Sequence, residues 1–212
     1  MDRFDQQNFH SICDQLAERD ADLRGIRDRH GYPPLWLRPP VFSTLIHIML
    51  EQQVSLASAR AAFNKLKERL SVITPHHLLA LTDEELRSCY FSRQKMGYVR
   101  HLATAIIAGT LRLDELGEKS NEEIRHALKK VKGIGDWTVD VYLIFALQRA
   151  DVFPVGDLAM MNAFRQVKRL PPTASREEIV SLAVEWRPYR SIGTMLLWHH
   201  YIRERGIWVP VD

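Results

Sequence analysis

Residues Leu128 to Asp157 read LKKVKGIGDWTVDVYLIFALQRADVFPVGD. In Gly133-Ile134-Gly135 two glycines bracket one apolar residue between two segments with helical apolar spacing. Glycine accepts positive φ and lets other groups come close to the backbone, so the pair predicts a tight turn joining two helices, with Ile134 plugging the turn into the core. The amides around Gly133 to Trp137 then lie at a helix N-terminus and point outward, which suits a phosphate, and Lys129, Lys130 and Lys132 stand beside them. Further along, after Pro154-Val155-Gly156, comes a lone carboxylate, Asp157.

Each feature alone has a plainer reading. An isolated GxG is commonly an interhelical turn, and Gly-Asp before a helix is commonly an N-cap. The context is fuller here: Ser120 and Glu123 form a capping-box signal, and Ile124, Ala127, Leu128 and Val131 follow at i, i+3, i+4 and i+7. A helix, a glycine pair, a second helix and flanking lysines together favour a nucleic-acid backbone as the bound group.

The rest of the chain reads as further helices. The first thirty residues place Phe4, Phe9, Ile12, Leu16 and Leu23 at helical spacing, and the proline-rich run Tyr32 to Pro40 predicts an extended connector. Leu45, Ile46, Met49 and Leu50 share a helical face that ends at Glu51-Gln52-Gln53, and Ser55 caps a predicted helix from Leu56 to Leu70. Thr82 with Glu85, and Ser175 with Glu178, are further capping boxes, and Tyr98–Ile107, Leu158–Val167 and Ser191–Arg203 carry helical patterns. No run alternates as a strand would. The expected fold is all-α: two small helical domains flanking a cleft, one from residue 41 to 149 with the hairpin, the other from 1–40 and 150–212 with Asp157.

Composition narrows the class without deciding it. The chain has 212 residues, enough to bury a full core, and a net charge of only +3, so any grip on nucleic acid depends on local placement. Two cysteines, Cys13 and Cys89, carry no metal or disulfide spacing, which points to a reducing cytoplasmic setting. No apolar run approaches membrane-spanning length and the polar N-terminus lacks a signal-peptide pattern. The paired His76-His77 and His199-His200 diverge on a helix and read as surface or core residues.

The stretch resembles the helix-hairpin-helix motif of the DNA glycosylase superfamily, in which a loop after the hairpin ends in a catalytic aspartate; Val155-Gly156-Asp157 stands there. Ile48-Met49-Leu50-Glu51-Gln52-Gln53-Val54-Ser55, and Trp186-Arg187-Pro188-Tyr189-Arg190-Ser191 leading to Leu197-Trp198, resemble the AlkA-type 3-methyladenine DNA glycosylase II branch. The resemblance runs over residues 40 to 205. Where bifunctional members have a Schiff-base lysine, two places after the second hairpin glycine, this chain has Trp137. It also lacks the iron–sulfur cysteines of the endonuclease III branch and a counterpart of the N-terminal β domain of longer AlkA proteins.

The resemblance implies a monofunctional enzyme acting on double-stranded DNA with damaged bases, with no obligate protein partner and no cofactor beyond a Na+ or K+ on the hairpin carbonyls of Lys129, Val131 and Ile134. A purine alkylated at N3 or N7, as in 3-methyladenine or 7-methylguanine, is a good neutral leaving group, so one carboxylate suffices: Asp157 would stabilise the oxocarbenium sugar and orient water. Its place at a helix start favours the ionised form. Trp137, and more weakly Trp198, Tyr142 and Trp36, are candidates to stack a flipped cationic base; for each, a core role is the plainer reading. Gln53 matches the residue that fills the vacated stack, and Gln52, Ser55, Lys132, Gly133, Ile134, Gly135, Asp136 and Thr138 complete the expected DNA-facing set. Arg93 and Lys95 resemble a G-[LI]-S-xx-K segment, with Tyr90 and Phe91 departing from it. Asp136 beside the phosphate-binding amides should weaken binding unless it caps the helix. A glycosylase-lyase acting on oxidised bases and a non-catalytic helix-hairpin-helix DNA-binding protein are the alternatives.

Overall fold

A computed structural model describes residues 3–207; among these the regular structure is helical, joined by turns and loops, with only an isolated bridge between Arg3 and Arg149 in extended pairing. The described residues form twelve α-helices. They are α1 Phe9–Arg19, α2 Ala21–His30, α3 Phe42–Glu51, α4 Leu56–Arg69, α5 Pro75–Ala80, α6 Asp83–Ser88, α7 Arg93–Ile107, α8 Asn121–Lys129, α9 Asp136–Phe145, α10 Leu158–Val167, α11 Arg176–Leu182 and α12 Arg190–Glu204.

Capping chemistry sets most of the starts. Thr82, Ser120 and Ser175 each accept the N3 amide while the N3 glutamate returns a bond to the cap amide, closing full capping boxes on α6, α8 and α11. Ser55 and Asp157 cap α4 and α10 with single side-chain bonds. Two starts escape the apolar pattern. Helix α7 begins at Arg93, ahead of Tyr98, because Ser92 caps a basic first turn with little apolar content. Helix α5 is a short turn set by Thr74 as cap and Pro75 in its first turn, a signal too brief to register as periodicity. Helix α11 stops at Leu182, and the chain tightens into a 3-10 turn over Ala183–Trp186.

The chain divides into two compact units, Met1–Leu37 with Leu143–Asp212, and Arg38–Tyr142. The sequence boundaries at 40/41 and 149/150 stand near these divisions, but the second division falls inside α9, between Tyr142 and Leu143, where helical periodicity gives no punctuation to read.

The first unit is built round Trp186, 1% exposed, whose indole N–H donates to Asp20 Oδ2 at 2.7 Å while its ring lies against Phe153 and Phe164. Gly193 of α12 must be glycine for the same reason: a Cβ there would stand 2.5 Å from Trp186 Cε3. Burial pushes the Asp20 carboxyl up, but bonds from Lys168 and Trp186 outweigh it and hold the group below the ordinary carboxylate range. The core of the second unit is aliphatic, with Leu45, Ile46, Ile48, Leu66, Val99, Leu102, Ile124 and Leu128 fully buried.

Candidate active site

The hairpin belongs to the second unit. Gly133 has φ +97°, in the left-handed region, and a Cβ on it would lie 2.2 Å from Tyr98 Cγ of α7. Conformation and contact therefore both demand glycine. Gly135 differs: its φ is not positive and a Cβ would meet nothing within 4 Å, so its backbone is open to an approaching group. Ile134 is 5% exposed and does plug the turn, a burial that contributes about 1.5–3 kcal/mol for a side chain of its size. Its N–H donates to the Val131 carbonyl at 3.1 Å, which closes the loop, and Gly135 C=O accepts the Val139 amide to open α9. Lys130 and Lys132 are exposed beside it.

Asp136 is the first residue of α9, and its carboxylate is met by Lys129 Nζ at 2.8 Å and Arg125 Nη1 at 2.9 Å. The hydrogen bond from Lys129 is the largest cause holding it below the ordinary range; burial opposes it, and the bond from Arg125 adds to the lowering. The acid that sequence reading set against phosphate binding is thus neutralised by two cations of α8, and Lys129 is committed to it. Arg125 also bonds the buried Asp140. Burial raises the Asp140 carboxyl to about 6 even though Arg125 opposes the shift.

The turn between α3 and α4 is tied to the hairpin. Gln52 Nε2 donates to the Gly133 carbonyl at 2.9 Å and to Thr138 Oγ1 at 2.8 Å, on either side of the glycine pair. Thr138 is 1% exposed, so it is a strut of the hairpin rather than an outward contact. Lys95 of α7 donates to the carbonyls of Leu50 and Gln52, a cation closing the C-terminal end of α3. Burial depresses its ammonium below the usual lysine value. So braced, the turn holds Gln53 exposed at φ +57°, with Val54 and Leu56 also exposed and Ser55 capping α4. A non-glycine residue in this region is strained and needs such over-determination.

Asp157 belongs to the first unit and is 9% exposed. Its Oδ1 accepts the Met160 amide at 2.7 Å, as an N-cap, and the Trp198 indole N–H at 3.0 Å. Capping and the indole therefore share one oxygen of the carboxylate. The loop before it is anchored to the start of α12: Ser191 Oγ donates to the Arg149 carbonyl at 2.6 Å and accepts the Val152 amide at 2.9 Å, while Arg190 holds Asp151 through Nε at 2.6 Å and Nη2 at 2.8 Å. This gives the Trp186-to-Ser191 segment its purpose, since Trp186 builds the core, Arg190 and Ser191 fix the loop, and Trp198 follows two turns later on the same helix.

The aromatic candidates separate by exposure. Tyr142 is wholly buried, its hydroxyl without a hydrogen-bond partner and raised to about 12 by burial. Trp198 is nearly buried, whereas Trp36 and Trp137 are half-buried. Phe145, which sequence reading passed over, joins two of them: its ring lies 5.4 Å from that of Trp198 and 6.2 Å, edge-on, from that of Trp36. The Trp36 indole nitrogen is buried with no hydrogen-bond partner. Phe145 lacks any local signal because its neighbours come from the proline connector and from α12. Among the described residues, no helix is long and apolar enough to cross a membrane.

The glycine turn, offering amides at a helix start with a braced turn beside it, has the form of a helix-hairpin-helix motif; the other unit holds a capped, indole-bonded aspartate. Residues 46–188 match the HhH-GPD superfamily of base excision DNA repair proteins, and the chain belongs to that family. It is 34% identical over 161 residues to DNA-3-methyladenine glycosylase 1 of Schizosaccharomyces pombe, covering 74% of this chain and 71% of that protein. It is 30% identical over 201 residues to the putative DNA-3-methyladenine glycosylase YfjP of Bacillus subtilis, covering 91% and 69%. Among solved structures it is similar to the 3-methyladenine DNA glycosylase Mag1 of Schizosaccharomyces pombe in complex with abasic DNA, with TM-score 0.80, 30% identity, and coverage of 89% of this chain and 95% of that one. The 8-oxoguanine glycosylase/lyase of Clostridium acetobutylicum shares the fold, with TM-score 0.78 at 21% identity and coverage of 94% of this chain and 71% of that one.

Proposed function

We propose that the protein is a monofunctional DNA glycosylase that hydrolyses the N-glycosidic bond of alkylated bases, 3-methyladenine and 7-methylguanine foremost, and leaves an abasic site in double-stranded DNA. The observation that carries this reading is Asp157: a nearly buried carboxylate, fixed by an amide and an indole N–H on one oxygen, in a chain with a phosphate-type hairpin. A carboxylate held this way stabilises positive charge on the sugar as the bond to the base lengthens, and orients the attacking water. The cationic base leaves as a neutral purine, so no strong general acid is required.

The roles of the other residues follow from their settings. The amides of Gly133 and Gly135, with Lys130 and Lys132, would hold the backbone phosphate, and Gln53 at the tip of its strained turn would enter the stack that the base vacates. Trp137 in one unit and Trp36 in the other are each half-buried, and each would offer a face to stack a cationic base. Trp198 bonds Asp157 instead, and Tyr142, wholly buried, has no face open to a base. The carbonyls of Lys129, Val131 and Ile134 would hold a monovalent cation. Helix α8 ends at Lys129, where helix carbonyls lack intrahelical partners and the dipole favours positive charge, so the donor set fits. When bound, the cation would supply charge for a phosphate oxygen. Trp137 in place of a lysine leaves no amine there to form a Schiff base.

Chromatography of bases released from N-methylated and from oxidised duplexes, each with and without borohydride, tests the reading. Methylated purines are expected from the first duplex, without a trapped protein–DNA adduct. An adduct, or release from the oxidised duplex alone, would overturn it.

A further inference from the structure

Away from Asp157, in the same unit, three potential metal ligands converge where α2 ends and α12 finishes. His30 is the last residue of α2, and His200 and Glu204 lie four apart on α12, hence on one helical face. Ligand atoms from the three lie within 4.8 Å of one another. His200 Nδ1 stands 3.3 Å from His30 Nε2, and that same nitrogen stands 3.3 Å from Glu204 Oε1. Two features set this apart from an ordinary hydrogen-bonded group. The contacts are long against the usual hydrogen-bond mode of about 2.9 Å. They also converge on one nitrogen, whose single proton cannot serve both neighbours. The same spacing is the edge of a tetrahedron around a metal: zinc–nitrogen bonds of about 2.0–2.1 Å put neighbouring ligand atoms roughly 3.3–3.4 Å apart.

We propose that His30, His200 and Glu204 form a divalent metal site, chemically suited to Zn2+, which staples the end of α2 to the last turns of α12 and keeps a fourth position for water. Two imidazoles and one carboxylate are a donor set that zinc accepts. His200 is 8% exposed and its Nε2 is buried without a partner, so the ring is already desolvated. The group is also oriented from outside: His199 Nε2 donates to the His30 carbonyl at 3.1 Å. Arg29, whose side chain is 67% exposed, pairs with the same Glu204 oxygen at 3.1 Å and would yield or share it. The consequence reaches the candidate active site, because α12 carries Trp198, the partner of Asp157, just before His200. A metal here would stiffen the helix that positions the carboxylate without touching substrate.

The test uses untagged full-length protein stripped with EDTA and titrated with Zn2+, and separately with Co2+. One Zn2+ per chain is expected, with Tm rising by about 5–10 °C at metal near a hundred times its Kd. Co2+ should produce the visible absorption of a tetrahedral nitrogen–oxygen site. Glu204→Gln, at the exposed edge of the group, keeps the shape, and His30→Asn is a second variant should the first perturb folding. Each should weaken Zn2+ binding at least about tenfold and remove the Co2+ band. Less than stoichiometric metal with an unmoved Tm would overturn the proposal, as would Zn2+ bound equally by the wild type and both variants.

Discussion

The hairpin and the setting of Asp157 solve opposite problems. The hairpin presents backbone to solvent, and its side chains either leave the surface, as Ile134 does, or cancel charge, as Asp136 does with Lys129 and Arg125. Asp157 is the reverse, a side chain withdrawn to 9% exposure and held by N–H donors from two helices. The proposed grip for phosphate would work by what a short segment leaves bare, and the proposed catalytic carboxylate by what distant segments bring to it.

The difference predicts where each region breaks. Gly133→Ala should be the most damaging change, costing about 3 kcal/mol or more in thermal unfolding, because it adds left-handed strain to a collision with Tyr98. Next comes the charge network of the hairpin. The Asp140 carboxyl is raised from its ordinary 3.8 to about 6, so the folded state binds more protons than the unfolded one between those values, and this contribution to stability is full below about pH 4 and lost as pH rises through 6. Against Asp140→Asn, the wild type should lose roughly 1–3 kcal/mol between pH 4 and 6.5 in denaturant titrations. A flat difference would mean that the buried pair with Arg125 stays ionised throughout.

On the aspartate side, Trp198→Phe keeps an aromatic ring near Phe145 but removes the indole N–H and part of the bicycle. Base release should fall about 10–100-fold at temperatures where the variant stays folded, the loss of one charge-assisted hydrogen bond, while the small cavity lowers Tm moderately. A drop in Tm without a drop in rate would make Trp198 a core residue only. The smallest effect on folding is expected from Gly135→Ala, under about 1 kcal/mol, since the added methyl meets nothing within 4 Å. DNA affinity should nevertheless weaken severalfold if Gly135 is the open approach to the phosphate. Gly133 and Gly135, two residues apart, thus separate fold from grip.

The same contrast explains what could be read in the sequence. The helices, the capping boxes at Thr82, Ser120 and Ser175, and the glycine turn are local, and each follows from a few neighbouring residues. The environment of Asp157 is not local: Trp198 is 41 positions away, and nothing in its immediate neighbours says that its N–H meets a carboxylate. Phe145 lay hidden for the same reason, and although Gln52 was legible as a candidate, its link to Gly133, which spans 81 positions, was not. Asp136 looked adverse because its neutralising partners, Arg125 and Lys129, sit on the preceding helix.

The claim that the two regions divide grip from chemistry is tested most directly by Asp157→Asn, measured for both binding and single-turnover release on an N-methylated duplex. Binding should stay within a few-fold of wild type while release of methylated base falls roughly 10²–10³-fold, the scale of losing a single transition-state charge partner. Release at the wild-type rate, with DNA still bound, would contradict the account.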